Sequence, residues 1–424
     1  MKTTLFFLAF LMTFGLCAQD TYLHCGQLID TRNGQLLKEM TVVVSDNEIV
    51  KVEKGFLKPR SKDDDVIDLK SKTVIPGLID MHVHMEEESN PNSYVEPFTM
   101  NKEDIAFRST QYAERTLMAG FTTVRDLGGS GVNTALRDAI DKGWVIGPRI
   151  YSAGKAIAST GGHADPTNGW MDDIVGDPGP EKGVVNGVED ARKAVRQRYK
   201  NGANVIKITA TGGVLSVAKS SSNPQFTFEE IQAICTIARD YGMHVAAHAH
   251  GDEGMRRAIL GGVRTIEHGT MMSEETMGLM VEHGVYLVPT ITAGKEVTAN
   301  AKIEGYFPEI VVPKALDVGP RIQGTFGKAY KKGVKIAFGT DAGVFKHGEN
   351  GREFAYMEEA GMPAMEVIQS ATFTNAQVLE NEKIGVIEVG AFADIIAVDG
   401  NPLEKIDTMT SVVFVMKDGI VYLK

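Results

Sequence analysis

The chain has 424 residues, 43% hydrophobic and 23% charged, which supplies apolar material for a large core and excludes a low-complexity or disordered protein. Its formal net charge of −11 argues against nucleic acid or an anionic membrane surface as a partner. Three cysteines, only two of them beyond the first 18 residues, exclude a disulfide scaffold.

Residues 1–18 read as a secretory signal peptide. Lys2 gives a positive start, Leu5 to Leu16 is almost wholly apolar, and Cys17 and Ala18 are small. The mature chain is therefore expected to be secreted or periplasmic, with its acidic excess one larger once Lys2 is lost. No other run approaches the roughly 18 apolar residues that a membrane helix needs.

From Tyr22 to about Thr73 short apolar alternations are broken by turn residues, as in 41–45, 48–52 and 66–69, which predicts strands of a small β module. The middle of the chain has a different rhythm, with short apolar strands ending in polar residues or Gly and alternating with helical patterns. Eight strands are predicted at 77–84, 122–126, 149–153, 204–208, 244–248, 265–268, 285–289 and 334–338. Helices are predicted between and after them, among them 103–119, 188–200, 228–241 and 363–379. Beyond Gly385 the β pattern returns at 394–398, 411–415 and 419–423. The predicted fold is therefore α/β, a (β/α)8 TIM barrel with a small β-sandwich module built from both chain termini. The boundaries are 1–18 for the leader, 19–75 and 383–424 for the two parts of the β module, and 76–382 for the barrel. A doubly wound open sheet is the alternative, but no glycine-rich dinucleotide fingerprint follows the first strand.

His82-Val-His84 closes the first barrel strand, and residues two apart on a strand point the same way. Both imidazoles then face the C-terminal mouth, where barrel enzymes keep their active sites. Other strand ends carry matching groups: Lys207 in the fourth, His248 and His268 ending the fifth and sixth, and Asp341 after the eighth. Leaving so many polar groups buried and unrelated would cost several kcal/mol. Lys207 sits in the apolar run Val205-Ile-Lys-Ile208, and an ammonium cannot ligate a cation. It forms either a buried ion pair, with Asp341 as partner, or a carbamate made with CO2 whose oxygens bridge two metals.

With these residues the sequence resembles the amidohydrolase superfamily, in the branch of imidazolonepropionase-related enzymes, Xaa-Pro dipeptidases (prolidases) and the fungal ochratoxin-hydrolysing amidase. The resemblance rests on the segments Pro76-Gly-Leu-Ile-Asp-Met-His-Val-His84, Ile206-Lys-Ile-Thr-Ala-Thr-Gly-Gly213, His248-Ala-His-Gly251, Ile266-Glu-His-Gly269 and Gly339-Thr-Asp-Ala-Gly343. It implies metal ligands His82, His84, Lys207 (as N6-carboxylysine), His248, His268 and Asp341. One metal would take His82, His84 and Asp341 and the other His248 and His268, with the carbamate between them. Zinc suits such ligands, and manganese is also permitted.

The implied chemistry is hydrolysis of an amide bond in a small peptide-like substrate by a metal-bridging hydroxide, with Asp341 as catalytic base and then acid. His163 and His250 are expected near the substrate. Open alternatives are a cyclic-amide hydrolase, an N-acyl amino acid amidase, a single-metal deaminase using His250 with Glu253, and a non-catalytic binding protein. The expected partner is a small molecule or dipeptide, and the sequence is compatible with a homo-oligomer.

Overall fold

A computed structural model describes residues 19–424, so the expected leader at 1–18 lies outside the described residues. The N-terminal residues form four strands, β1 (Asp20–Asp30), β2 (Gln35–Ser45), β3 (Glu48–Lys54) and β4 (Asp65–Pro76). The C-terminal residues add β13 (Ile395–Asp399), β14 (Val412–Lys417) and β15 (Ile420–Leu423). Both termini build one β-rich unit, as the alternating patterns predict. Its hydrogen-bonding differs from the expected two-sheet sandwich, because all seven strands join in a single mixed sheet of order β15-β14-β13-β4-β1-β2-β3. The sheet curls on itself. Ile49 of the β3 edge exchanges backbone hydrogen bonds with Ala391 and Gly390, just before the central strand β13. Inward residues from both sides, such as Leu23, Val42, Ile395 and Phe414, share one apolar core.

Between these termini lie eight parallel strands. β5 (Leu78–Val83), β6 (Phe121–Asp126) and β7 (Arg149–Ser152) form one sheet. β8 (Ile206–Thr209), β9 (Val245–Ala249), β10 (Thr265–His268), β11 (Tyr286–Val288) and β12 (Lys335–Ile336) form another. The two arcs meet at both edges through parallel bridges, Val83 with Ala342 and Ile157 with Ile208. Backbone hydrogen bonds reinforce each seam, for example Asp341 N to His82 O at 2.7 Å and Ile157 N to Lys207 O at 2.8 Å. β5 and β8 to β11 are buried at every position, as expected for strands covered on both faces.

The helices largely follow the predicted spans, at Lys102–Met118, Val188–Lys200 and Phe228–Asp240. The predicted helix 363–379 is instead two, Ala364–Ser370 and Phe373–Val378. Two competing hydrogen bonds explain the break. Ile79 of β5 donates its N–H to Ala371 O at 2.7 Å, and the Thr372 hydroxyl donates back to Ile368 O at 2.7 Å. Among the described residues no helix is long and apolar enough to cross a membrane.

Candidate metal centre

The C-terminal ends of the parallel strands open on a cavity of about 550 Å³, and all eight site residues expected from sequence line it. His82 reaches it from β5 and His84 from just past the end of that strand, Lys207 from β8, His248 from β9 and His268 from β10, with Asp341 shortly after β12. Two of these strand ends turn sharply. His268 and Asp341 have φ of +72° and +62°, a region costly for residues with a Cβ. Thr290, at +53°, shares the same conformation and bonds His268 Nδ1 through its hydroxyl at 2.7 Å.

Each imidazole is tethered through one ring nitrogen, which leaves the other uncommitted or facing the cluster. His82 donates Nδ1–H to Glu267 at 2.9 Å, His84 donates Nδ1–H to Gly128 O at 3.0 Å, and His248 donates Nε2–H to Gly212 O at 3.1 Å. Asp341 Oδ1 lies 3.4 Å from His82 Nε2 and 3.3 Å from His84 Nε2. Lys207 Nζ is 3.3 Å from His82 Nε2, and the His248 and His268 ring centres are 4.7 Å apart. One atom each from His82, His268 and Asp341 lies within 4.8 Å of the others, so the donor set fits a cation of zinc type. This compact trio draws from both ligand groups that the resemblance implies.

Burial drives His82, His248 and His268 far toward the neutral imidazole, with the Lys207 charge adding to the effect. Neutral imidazole is the ligating form. Burial also opposes charge on His84, but the Asp341 carboxylate outweighs it and holds that ring up to about 9. Burial lowers Lys207 to about 8, a fall that Glu267 and Asp341 only partly offset. The expected ion pair between Lys207 and Asp341 is not formed at 4.0 Å, because Asp341 turns to His82 and His84 instead.

His163 packs its ring 4.4 Å from that of His248, and its buried Nδ1 has no hydrogen-bond partner. Its placement requires Gly213, where a Cβ would fall 2.2 Å from the imidazole. His250 bonds Thr270 Oγ1 through Nδ1 at 2.8 Å and packs against His248. Glu253, the acid of the alternative deaminase register, is half exposed in the first turn of the helix Asp252–Gly261 and pairs with Arg257 at 2.8 Å. It therefore lies outside the cavity.

Sequence reasoning assigned no role to Glu267, although it stands beside His268 in the motif Ile-Glu-His-Gly. It is fully buried between His82 Nδ1 and the guanidinium of Arg125, 2.8 Å away. Arg125 also donates to Met81 O and Thr265 Oγ1, tying β6 to β5 and β10 beneath the histidines. Glu267→Gln is expected to weaken metal binding by about 10–100-fold, because the carboxylate orients His82. It is also expected to cost about 3 kcal/mol of stability by stranding Arg125. Equilibrium dialysis and thermal unfolding separate the effects: adding Arg125→Met should recover stability but not metal affinity.

The amidohydrolase family model matches residues 73–421. Aspergillus niger ochratoxinase is 31% identical over 410 residues, 92% of this chain and 83% of that protein. The crystal structure of a Xaa-Pro dipeptidase with methionine bound in its active site is 55% identical, with a TM-score of 0.93 over 96% of this chain and 100% of that one. A prolidase complexed with N-methylphosphonate-L-proline is 34% identical, with a TM-score of 0.87 and coverage of 96% and 100%.

Proposed function

Since the chain belongs to the amidohydrolase family and is a hydrolase of carbon–nitrogen bonds, we propose that it cleaves the amide of a small dipeptide-like substrate, in the manner of a Xaa-Pro dipeptidase or a carboxypeptidase. The carrying observation is that side chains from five strand ends converge on one cavity. In this reading the two parallel arcs are one (β/α)8 barrel spanning 76–382, with the β module of 19–75 and 383–424 packed beside it. Residues 1–18 are a leader removed on export.

His82, His84, His248, His268, Asp341 and a carboxylated Lys207 would hold a pair of divalent cations, zinc or manganese. Bound there, the cations would supply Lewis acidity to the scissile carbonyl and to a water molecule. The chain's own residues do the rest. Asp341 accepts the proton of the attacking water and returns it to the leaving nitrogen. His163, with its unpartnered Nδ1, and His250 face the substrate. Val214, Val297, Val318, Ile322 and Val344 form an apolar wall for a side chain such as the methionine bound by the similar dipeptidase.

The test is metal analysis of the purified protein with a panel of dipeptides, Xaa-Pro included, and N-acyl amino acids. Two equivalents of metal, peptide cleavage, and loss of turnover on chelation with recovery on adding zinc or manganese are expected. Ammonia as the product, or full turnover after metal removal, would reject the proposal.

A further inference from the structure

On the β7 side of the cavity the charge balance reverses. The chain carries a net charge of −11, yet Lys102, Lys155 and Lys182 line the cavity together, and among the described residues none of them pairs with a carboxylate within 4.0 Å. A side recess of about 370 Å³ adjoins it, sharing Lys102, Ser130 and Lys155 with the main cavity and adding Arg198. No acidic side chain lines this recess.

Arg198 is 1% exposed, an unusual burial for a guanidinium that also has no carboxylate partner. Its Nε donates to Lys155 O at 2.7 Å and its Nη1 to Glu181 O at 3.4 Å, so it holds the backbone that carries Lys155. Its Nη2 is buried without a partner, and so is the hydroxyl of Ser130. Several carboxylates lie around the recess: Glu87 lines the main cavity but not the recess itself, and Asp126 is buried against the Asn133 amide. Glu86 spends both oxygens on the N–H groups of Ser130 and Asn133, each at 2.7 Å, and Glu181 is exposed. None of these lies within 4.0 Å of Lys102, Lys155 or Arg198, although Glu181 partly offsets the repulsion on Lys155. Burial lowers the pKa of Lys155, and repulsion from Lys182, Lys102 and Arg198 lowers it further. A recess lined by cations and by no carboxylate gains most when an anion enters it.

We propose that this recess is a carboxylate subsite. An amide substrate with a carboxylate on its leaving half would place that group between the Lys102 and Lys155 ammonium groups, with the buried Arg198 charge behind them. Its scissile bond would lie by Asp341, and its acyl side chain against the apolar wall. The inference rests on the amide-hydrolase reading and deepens it, because it favours leaving residues that are acidic or have a free C-terminus.

The test compares wild type with Lys102→Gln/Lys155→Gln, both at positions exposed enough to spare the core. Substrates are Met-Glu, Met-Gln and the C-terminal amide of each. The loss of hydrogen bonds to a charged group should reduce the carboxylate preference in kcat/KM by about tenfold or more. A collapsed Glu-over-Gln ratio assigns the recess to a side-chain carboxylate. A collapsed acid-over-amide ratio assigns it to the α-carboxylate. Unchanged ratios overturn the proposal. Calorimetry with N-acetyl-L-glutamate and its diamide gives a readout free of turnover. Tighter binding of the anion by wild type, lost in the variant, would support the subsite even if no amide were cleaved, an outcome that would sink the hydrolase reading alone.

Discussion

Asp341→Asn is expected to lower kcat by about 10²–10⁴-fold, the range lost when a positioned general acid–base is removed. Asparagine is the informative replacement, because Asp341 sits at φ +62° and Asn tolerates that conformation better than almost any residue except Gly. The backbone turn that aims the side chain is then kept, as is a carbonyl oxygen beside His82 and His84. What is lost is the ability to take a proton. The expected signature is a deep fall in kcat with the metal content largely retained. Asp341→Ala should add a second defect. It imposes a backbone cost of about 1–2 kcal/mol and removes the charge that holds His84 up to about 9. Both variants are to be followed by steady-state kinetics, elemental analysis and thermal unfolding. Undiminished turnover in the asparagine variant would remove Asp341 from the chemistry.

Much of this centre was legible in the sequence, because its signals are local. His82 and His84 share a face through the two-residue period of a strand, and Lys207 stands out as a charge inside an apolar run. The strand-to-helix alternation likewise predicted the order of the parallel strands. What escaped depends on closure of the chain. Arg125 and Glu267 are separated by 142 residues and meet only once β6 and β10 face one another, so neither showed its purpose locally. The break in the helix predicted at 363–379 has the same origin, since the N–H that competes for Ala371 O comes from Ile79. Alternation also reports which residues share a face but not which strands are neighbours. The β module therefore read as a sandwich although its seven strands form one curled sheet. The cationic recess was illegible for a related reason. Lys102, Lys155 and Arg198 come from two helices and a loop far apart in the chain and look like ordinary surface charges in the sequence.

Lys207→Met is expected to lower turnover by at least about 10²-fold, the loss typical of deleting one essential electrostatic element of an active site, and to lower metal occupancy with it. Lys207 is 4% exposed, flanked in β8 by Ile206 and Ile208, with its Nζ 3.3 Å from His82 Nε2 and no carboxylate within 4.0 Å. An ammonium in such a place is poorly solvated and unpaired, and burial accordingly lowers it to about 8. The neutral amine can attack CO2, forming a nitrogen–carbon bond and releasing one proton, which turns a prospective cation into an anion among four imidazoles. That reversal of sign is what a cluster built to hold divalent cations needs. If it occurs, Lys207→Ala should regain activity when a short carboxylate such as acetate or propionate is added, whereas Lys207→Arg, which keeps the positive charge and fills the space, should not. Bicarbonate labelled with carbon-13 should give a carbamate resonance in the wild-type protein that is missing in Lys207→Met. Full metal content and turnover in the methionine variant would show that the lysine is merely a buried structural amine.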